Sequence, residues 1–536
     1  MKVSKAMVKC LERENVKVVF GYPGAAICPF YDDLSNSEIR HILVRHEANG
    51  GHAANGYARI TGRPGVCIAT SGPGATNLIT AIATAYMDSI PLVVITGQVN
   101  TDQIGKDVFQ EADITGAAEP FVKHSYLVKN ANDIPRVFKQ AFYIAGTGRP
   151  GPVLIDIPLD IQKTDIDFHY PDKVDIRTYK PTLKGNSLQI KRISAALEES
   201  RRPLICAGGG VFVSDACREL HALADKCDIP VITTMMGISA MSASSPRYFG
   251  MLGLHGTKAA NKALNDCDLL ILIGARVGDR AVKSPVSLQE STVVIHIDID
   301  PAEIGKNVSA NIPVVGDARR ILSQIIDIVP DMEHTDWIEK LSEFRQTDEF
   351  MLSQRGYVNP RHFISRLSSA LPKNSVVVAD VGQNQIWTAN SFNVENGRFL
   401  TSGGMGTMGY SIPAAIGAKL ADSKRTVVAV CGDGSFQMQM MELATAVQHG
   451  VDIKIVIMKN NRLGMVRELQ KNQYNNRLSA VFLDGSPDFV AIAKAYGINA
   501  SRINNDNDID TAIASLIDSD GPYVLECSVN PEAQTL

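Results

Sequence analysis

The sequence predicts an α/β protein of three domains, each built on a mostly parallel sheet. Three observations carry that expectation. At 536 residues the chain is too long for one hydrophobic core, and about three domains is the natural division. Runs of β-branched and apolar residues alternate with segments of helical period, as strands buried on both faces of a parallel sheet require. A polar stretch without period, 165–187, and a polar helical one, 331–356, separate three such blocks.

The first block, residues 1–165, opens on MKVSKAMVKCLEREN, an amphipathic helix pattern. Strand signals follow at Val16–Phe20, Ile42–Val44, Val66–Thr70, Leu92–Thr96 and Val153–Ile157, with helical patterns between them. The linker TDIDFHYPDKVDIRTYKPTLKGN carries two prolines and no sustained pattern. The second block, 188–330, has strand signals at Leu204–Ala207, Val231–Thr233, Leu269–Ile273 and Val293–Ile297. A Gly208-Gly209-Gly210 turn follows the first of them. After a polar helical stretch holding Trp337, the third block, 357–536, contains Val427–Val430 and Ile453–Met458 and ends on Tyr523–Ser528.

One stretch of the first block, VCIATSGPGATNLITAIATAYMDSIPLVVIT, parallels residues 427–458 of the third. Each has a buried strand, a Gly-x-Gly turn, a helical segment and another buried strand. That is a weak internal repeat, and it predicts two related domains flanking a different one.

Composition excludes several classes of protein. Hydrophobic content of 45% and charged content of 21% are ordinary for a globular chain. A net charge of −4 offers nothing to nucleic acid or to an anionic membrane surface. No apolar run reaches the ~18 residues that span a bilayer, and the N-terminus lacks a signal-peptide core. Nine scattered cysteines without CxxC spacing predict reduced thiols and a cytoplasmic location.

The third block carries the sharpest chemical signal. Its first strand stops at Gly432-Asp433-Gly434, and Phe436, Met440, Leu443, Ala444 and Val447 then recur at helical spacing. The second strand ends on Asn460-Asn461. In a parallel βαβ unit both strand ends reach the same sheet edge, so Asp433 and Asn460 should meet there. A carboxylate, an amide oxygen and a backbone carbonyl form the hard oxygen set that Mg²⁺ prefers. Glycines and a helix N-terminus beside them suit a diphosphate. A lone Gly-Asp-Gly also fits an ordinary turn with a surface acid. With Ser435 after it and Asn460 at this distance, the pattern resembles the diphosphate–Mg²⁺ signature of thiamine diphosphate (ThDP) enzymes.

Glu47, in LVRHEANGGHAANGYAR, follows a strand and opens a helix of small residues. A carboxylate at such a junction is partly desolvated, which favours sharing a proton with a ligand nitrogen. It also fits a surface acid at a helix start.

With these segments in hand, the chain resembles the catalytic large subunit of acetohydroxyacid (acetolactate) synthases over nearly its whole length. The resemblance rests on FGYPGAAICPFYDDL, RHEANGGHAANGYAR, TSGPGATN, DVFQEADITG, GRPGPVLIDIP, FGMLGLHG, GARVGDR, VIHIDIDP, ADVGQNQ, TSGGMGTMGYSIPAAIGA and CGDGSFQM…NNRLGMV, in that order. It implies a pyrimidine-binding domain (1–165), a central FAD-binding-like domain (188–330) and a diphosphate-binding domain (357–536). It implies ThDP, Mg²⁺ and FAD as cofactors, with the flavin largely structural. It also implies a homodimer or homotetramer with sites at the subunit interface, and a small regulatory subunit as a further partner. The reaction it implies decarboxylates pyruvate and joins the two-carbon unit to a second 2-keto acid, pyruvate or 2-ketobutyrate, in branched-chain amino acid biosynthesis.

Residue by residue, the resemblance assigns Glu47 to the aminopyrimidine ring, Met408 to the cofactor's bent shape and the Gly406 carbonyl to its exocyclic amine. Val381, Gly382, Gln383 and Asn384 would contact the diphosphate. Asp433, Asn460 and the Arg462 carbonyl would hold the metal. Pro23, Gly24, Asn77, Gly432, Gly434, Ser435, Gly464 and Met465 complete the ThDP surroundings. Arg149, Gly208, Gly209, Gly210, Thr234, Met235, Leu252, Gly253, Leu254, His255, Gly274, Arg280, Asp298, Ile299 and Asp317 match flavin contacts. Arg276 matches a residue for the second keto acid, and Phe109 and Gln110 match the channel to the thiazolium.

The chain departs from the family pattern at several places. Leu469 stands where a tryptophan is usual, and Ala25 where a glycine is. Asn384 replaces a histidine, Gly278 an aspartate, and the C-terminal segment ECSVNPEAQTL differs. Ala25 and Leu469 both lie toward the acceptor, which leaves open an alternative carboligase that delivers the two-carbon unit to a keto-sugar nucleotide. A pyruvate oxidase would share both cofactors but consume oxygen, and a non-catalytic paralogue would not need Glu47, Asp433 and Asn460.

Overall fold

In the computed structural model, which describes residues 1–279, 292–345, 355–392 and 395–535, every sheet is parallel and six-stranded. The first sheet uses β1 (Val18–Gly21), β2 (Arg40–Leu43), β3 (Gly65–Ala69), β4 (Leu92–Gln98), β5 (His124–Leu127) and β6 (Pro152–Pro158). The second uses β7 (Pro203–Ala207), β8 (Val231–Thr233), β9 (Tyr248–Met251), β10 (Leu269–Ile273), β11 (Val293–Asp298) and β12 (Ile312–Val315). The third uses β13 (Val376–Ala379), β14 (Arg398–Leu400), β15 (Val427–Gly432), β16 (Lys454–Lys459), β17 (Asn499–Ile503) and β18 (Tyr523–Ser528).

The expected central strands are present, because helices cover both faces of each sheet and only apolar runs survive there. Residues of β3, β4, β6, β7 and β10 are buried without exception. The strands absent from the expected set are mostly sheet margins. β5, β14, β9, β12 and β17 each end a sheet, and each is a short run with at least one exposed or half-buried position. β13 is central but only four residues long, too short for periodicity to identify.

The first and third sheets share one strand order. It runs β2-β1-β3-β4-β6-β5 in the first and β14-β13-β15-β16-β18-β17 in the third, the same sequence displaced by twelve strands. The internal repeat is therefore structural: β3–β4 corresponds to β15–β16. The middle sheet, β12-β11-β10-β7-β8-β9, is ordered differently.

The two related domains dock through equivalent helices, Glu47–Thr61 and Ser411–Ala421. Their seam is made of small residues. A methyl group on Gly56 would overlap the Ala414 carbonyl, and one on Gly417 the Ala53 carbonyl. Pairing 53 with 417 and 56 with 414 makes the helices antiparallel. The seam explains why Glu47 heads a helix of glycines and alanines.

The helix expected across Phe436–Val447 is broken. Helices Asp433–Gln439 and Leu443–His449 flank a 3₁₀ turn at Met440–Glu442. The break turns the buried Glu442 toward the first domain, where it accepts from the Asn49 side chain (2.8 Å) and the Arg45 amide (2.9 Å). The linker after residue 165 begins under the N-terminus, whose ammonium donates to the Ile166 carbonyl at 2.7 Å. Among the described residues no helix is long and apolar enough to cross a membrane, and all nine cysteines are free.

Candidate active site

The carboxyl edge of the third sheet gathers the residues expected to hold a diphosphate and a cation. β15 delivers Asp433 at 1% exposure. Its Oδ2 accepts the Asn461 amide (2.6 Å) and its Oδ1 the Gly434 amide (3.1 Å). β16 delivers Asn460, whose Oδ1 accepts the Arg462 amide (2.9 Å) and whose Nδ2 donates to Gln383 Oε1 (3.0 Å). The twenty-seven-residue separation thus closes at one turn, as parallel strand ends dictate.

β13 brings the third element. Gln383 and Asn384 open helix Gln383–Ser391, and Asn384 Nδ2 donates to the Asp380 (2.8 Å) and Val430 (3.2 Å) carbonyls. Gly382 has φ +147°, a conformation that suits glycine. Gly464 is a glycine for space: a methyl group there would overlap the Gln383 carboxamide. Ser435 ties back to Gly432, closing the turn. Met408 reaches over it, its methyl 3.6 Å from where a Gly434 methyl would stand.

The donor set suits a hard cation. Burial pushes the Asp433 carboxyl up to about 6, and the Asn461 and Gly434 amides and Lys459 only partly offset it. A carboxylate sunk among neutral amides is short of positive charge, and a divalent ion bound there would supply it. Among the described residues no three His, Cys, Asp or Glu side chains are grouped so as to hold a metal ion, and the set at this edge is one acid with amide and carbonyl oxygens.

The other half lies on the first sheet. Glu47 is half-buried at the first turn of its helix, and its Oε2 accepts from Asn77 Nδ2 at 2.9 Å. The Ser71–Ala75 turn packs over it: a methyl on Gly74 would stand 3.3 Å from Glu47 Oε1. Gly72 has φ +60° and abuts the Gln110 backbone. Gln110 is itself at φ +59°, and Phe109 beside it is 87% exposed. Pro23 and Ala25 are exposed nearby, while Gly24 is fixed by Thr70, which would collide with any side chain there.

Within one chain the two halves do not meet. Ser411 is tied to Asp380 at the Asp433 edge, its amide donating to Asp380 Oδ2 (2.8 Å). The antiparallel seam places Glu47 beyond the other end of helix Ser411–Ala421, about 15 Å of helix away.

A cleft of about 850 Å³ lies between the middle domain and the other two. Arg149, Gly209, Gly210, Thr234, Met235, Leu252, His255, Gly274, Arg276, Asp298, Ile299 and Asp317 line it. The volume is that of a cofactor site. Burial pushes the Asp298 carboxyl up to about 6. Arg149 pairs with Glu303 (2.7 Å) and Asp300 (3.2 Å) and donates to Ser89 Oγ (2.9 Å), joining first and middle domains. Val381, Gly406 and Met465 open onto the same cleft, so it is continuous with the diphosphate edge.

Three expected flavin contacts do not line this cleft. Gly208 is a glycine because the Gly274 carbonyl leaves no room for a side chain. Gly253 is occupied in a two-way bond with Asn261, and Leu254 is 59% exposed. Arg280 lies outside the described residues. Wall residues that the motifs did not name include Asp88, Glu303 and Lys306. Their only signal in sequence was Asp88, the one charged residue of helix Ile79–Asp88.

Comparison with known proteins places three family models along the chain. These are the N-terminal (1–117), central (190–325) and C-terminal (380–527) domains of thiamine pyrophosphate enzymes. A probable acetolactate synthase large subunit of Methanocaldococcus jannaschii is 46% identical, covering 99% of this chain and 92% of that one. The acetolactate synthase large subunit of Corynebacterium glutamicum is 42% identical over 99% of this chain and 87% of its own. That of Cyanidium caldarium is 42% identical over 98% and 92%.

Proposed function

The chain belongs to the acetolactate synthase large-subunit family of thiamine diphosphate enzymes, and from that premise we propose how its residues share the work. The reaction removes CO₂ from pyruvate and joins the remaining two-carbon unit to a second 2-keto acid. Thiamine diphosphate, when bound, supplies the carbon nucleophile and the electron sink. The full-length likeness to acetolactate synthases does not favour a keto-sugar acceptor.

The observation that carries the reading is the convergence of Asp433, Asn460, the 461–462 backbone, Gln383 and Asn384 at one sheet edge. Asp433, Asn460 and the Arg462 carbonyl would hold Mg²⁺, which would neutralise diphosphate charge. Gly432, Gly434 and Ser435 let the backbone approach that diphosphate. The exposed Gly406 carbonyl and the Met408 side chain would seat the rings. Glu47, kept in place by Asn77, would hold a proton against the aminopyrimidine. FAD would fill the cleft against Arg149, Gly209, Gly210, Asp298 and Asp317 as a structural group. Arg276, half-buried on the same wall, would meet the carboxylate of the acceptor.

Because Glu47 and Asp433 sit at opposite ends of the seam, we infer that each site is closed by a second copy of the chain. The exposed Phe109 and Leu469 (45%) lie on surfaces that such a copy would cover. The relatives' designation as large subunits supports a small regulatory partner, and nine free thiols support a cytoplasmic setting. The decisive experiment is product analysis after incubation with pyruvate, ThDP and Mg²⁺, with and without FAD. Acetolactate from pyruvate alone is the expected product; its absence overturns the reading.

A further inference from the structure

The loop Ser402–Gly409 carries Gly406 and Met408, yet its middle, 403–406, is exposed. Its shape is imposed by anchors at both ends. Asp380 accepts the Gly409 amide (3.0 Å) and the Ser411 amide (2.8 Å). Ser402 Oγ accepts the Thr407 amide at 3.0 Å. These two belong to the loop's own domain.

The remaining anchors come from the first domain of the same chain. Asp88 Oδ1 accepts the Gly404 amide at 2.7 Å, and Thr84 and Thr407 share a hydroxyl bond of 2.7 Å. The Asp88 side chain is fully buried and paired at 2.8 Å with Arg59, itself 5% exposed. Arg59 Nε donates to Asn55 Oδ1 (3.0 Å), which also accepts the Tyr410 hydroxyl (2.8 Å) just past the loop. One connected set of side chains therefore grips the loop at Gly404 and at Tyr410. Gly404 has no freedom to move inward: a methyl there would stand 2.9 Å from both Asp88 Oδ1 and the Met87 carbonyl.

We propose that Asp88, held by Arg59, is a positioning residue of the thiamine site, acting through the Gly404 amide on the loop that presents Gly406 and Met408. The inference rests on the reading above that this loop faces the cofactor rings. It gives the first domain two tasks. Its Glu47 end would serve one site, and its Asp88 end shapes the loop of its own chain. A charge-assisted bond to a backbone amide is stiff, and removing the acid would leave Arg59 buried without its counter-charge. Displacing a cofactor-facing carbonyl by about 1 Å is enough to cost on the order of 10²-fold in rate.

The test uses the full chain with Asp88→Ala, Asp88→Asn and Thr84→Val. In cofactor-free protein, backbone hydrogen exchange across residues 402–410 should rise at least ~10-fold in Asp88→Ala, with β15 and β16 unchanged. The half-saturating ThDP concentration should rise by about 10-fold or more, while the KM for pyruvate moves less than about 2-fold. Asp88→Asn, which keeps an acceptor for Gly404 but not the ion pair, should fall between. Thr84→Val should shift both readouts the same way by less. Unchanged loop exchange overturns the anchoring. Faster exchange with unaltered ThDP dependence means the loop does not face the cofactor, which sinks the reading beneath it. Should Asp88→Ala fail to fold, Asp88→Asn and Thr84→Val decide, and wild-type behaviour in both refutes the proposal.

Discussion

Replacing Glu47 by glutamine separates chemistry from folding. Glutamine keeps the length of the side chain and an oxygen for Asn77 Nδ2, now bonded at 2.9 Å. It keeps the contact with the Gly74 turn. What it removes is one negative charge at the first residue of helix Glu47–Thr61, a favourable place for an anion. That loss costs about 0.3–1 kcal/mol. The seam of Ala53, Gly56, Ala414 and Gly417, which docks the domains, is untouched. The rate should respond quite differently. General acid–base help is worth about 10²–10⁴-fold, or roughly 3–5 kcal/mol of barrier. The assay is the initial rate of acetolactate formation at saturating ThDP and Mg²⁺, beside a thermal melt of the same sample. We expect a rate loss of at least about two decades with a melting shift of only a few degrees. A rate within about 3-fold of wild type would refute the assignment of Glu47 to proton exchange.

Three further outcomes follow from the geometry. Mixing Glu47→Gln chains with Asp433→Ala chains should restore activity, up to about a quarter of wild type for random dimers, because one intact site forms in each mixed pair; no recovery would place both residues in one chain's site. Gly464→Ala should push the Gln383 carboxamide off Asn460 and raise the half-saturating Mg²⁺ concentration by about 10–100-fold, and an unchanged value would remove Gln383 from the support of the metal site. Asp156, buried in β6, has its carboxyl pushed by burial up to about 7, although Thr96 and Gln98 donate to it. The folded chain therefore binds that proton more tightly than the unfolded one, where a carboxyl titrates near ~3.9. Stability from this group is present below about pH 4 and lost as pH rises to about 7, so the melting point of wild type relative to Asp156→Asn should fall across that window; a flat difference would sink the argument.

How much was legible in the sequence depended on whether a residue's partner was nearby along the chain or fixed by a strand end. The buried runs of β3, β4, β15 and β16 announce themselves because apolar side chains face both ways. Asp433 and Asn460 could be brought together because parallel strands end at one edge. Edge strands such as β5 and β17 show mixed burial and carry little pattern. The break at Met440–Glu442 exists to reach Arg45 and Asn49, some four hundred residues earlier, and no local period encodes it. Gly208 was expected to face a ligand; the turn after β10 crowds it, which by itself requires a glycine there. The role of Asp88 could not be read for the same reason in reverse: its partners, Arg59 and the Gly404 amide, are distant in sequence.

The matched strand orders of the first and third sheets, docked back to front along a seam too tight for a methyl group, set what dilution should do. The internal docking belongs to each polypeptide and survives at any concentration. If a second copy closes each site, as proposed above, the meeting of complementary edges would belong to two polypeptides and obey mass action. On progressive dilution, turnover per chain should fade while circular dichroism and melting behaviour persist, leaving an intact but idle molecule that reconcentration revives.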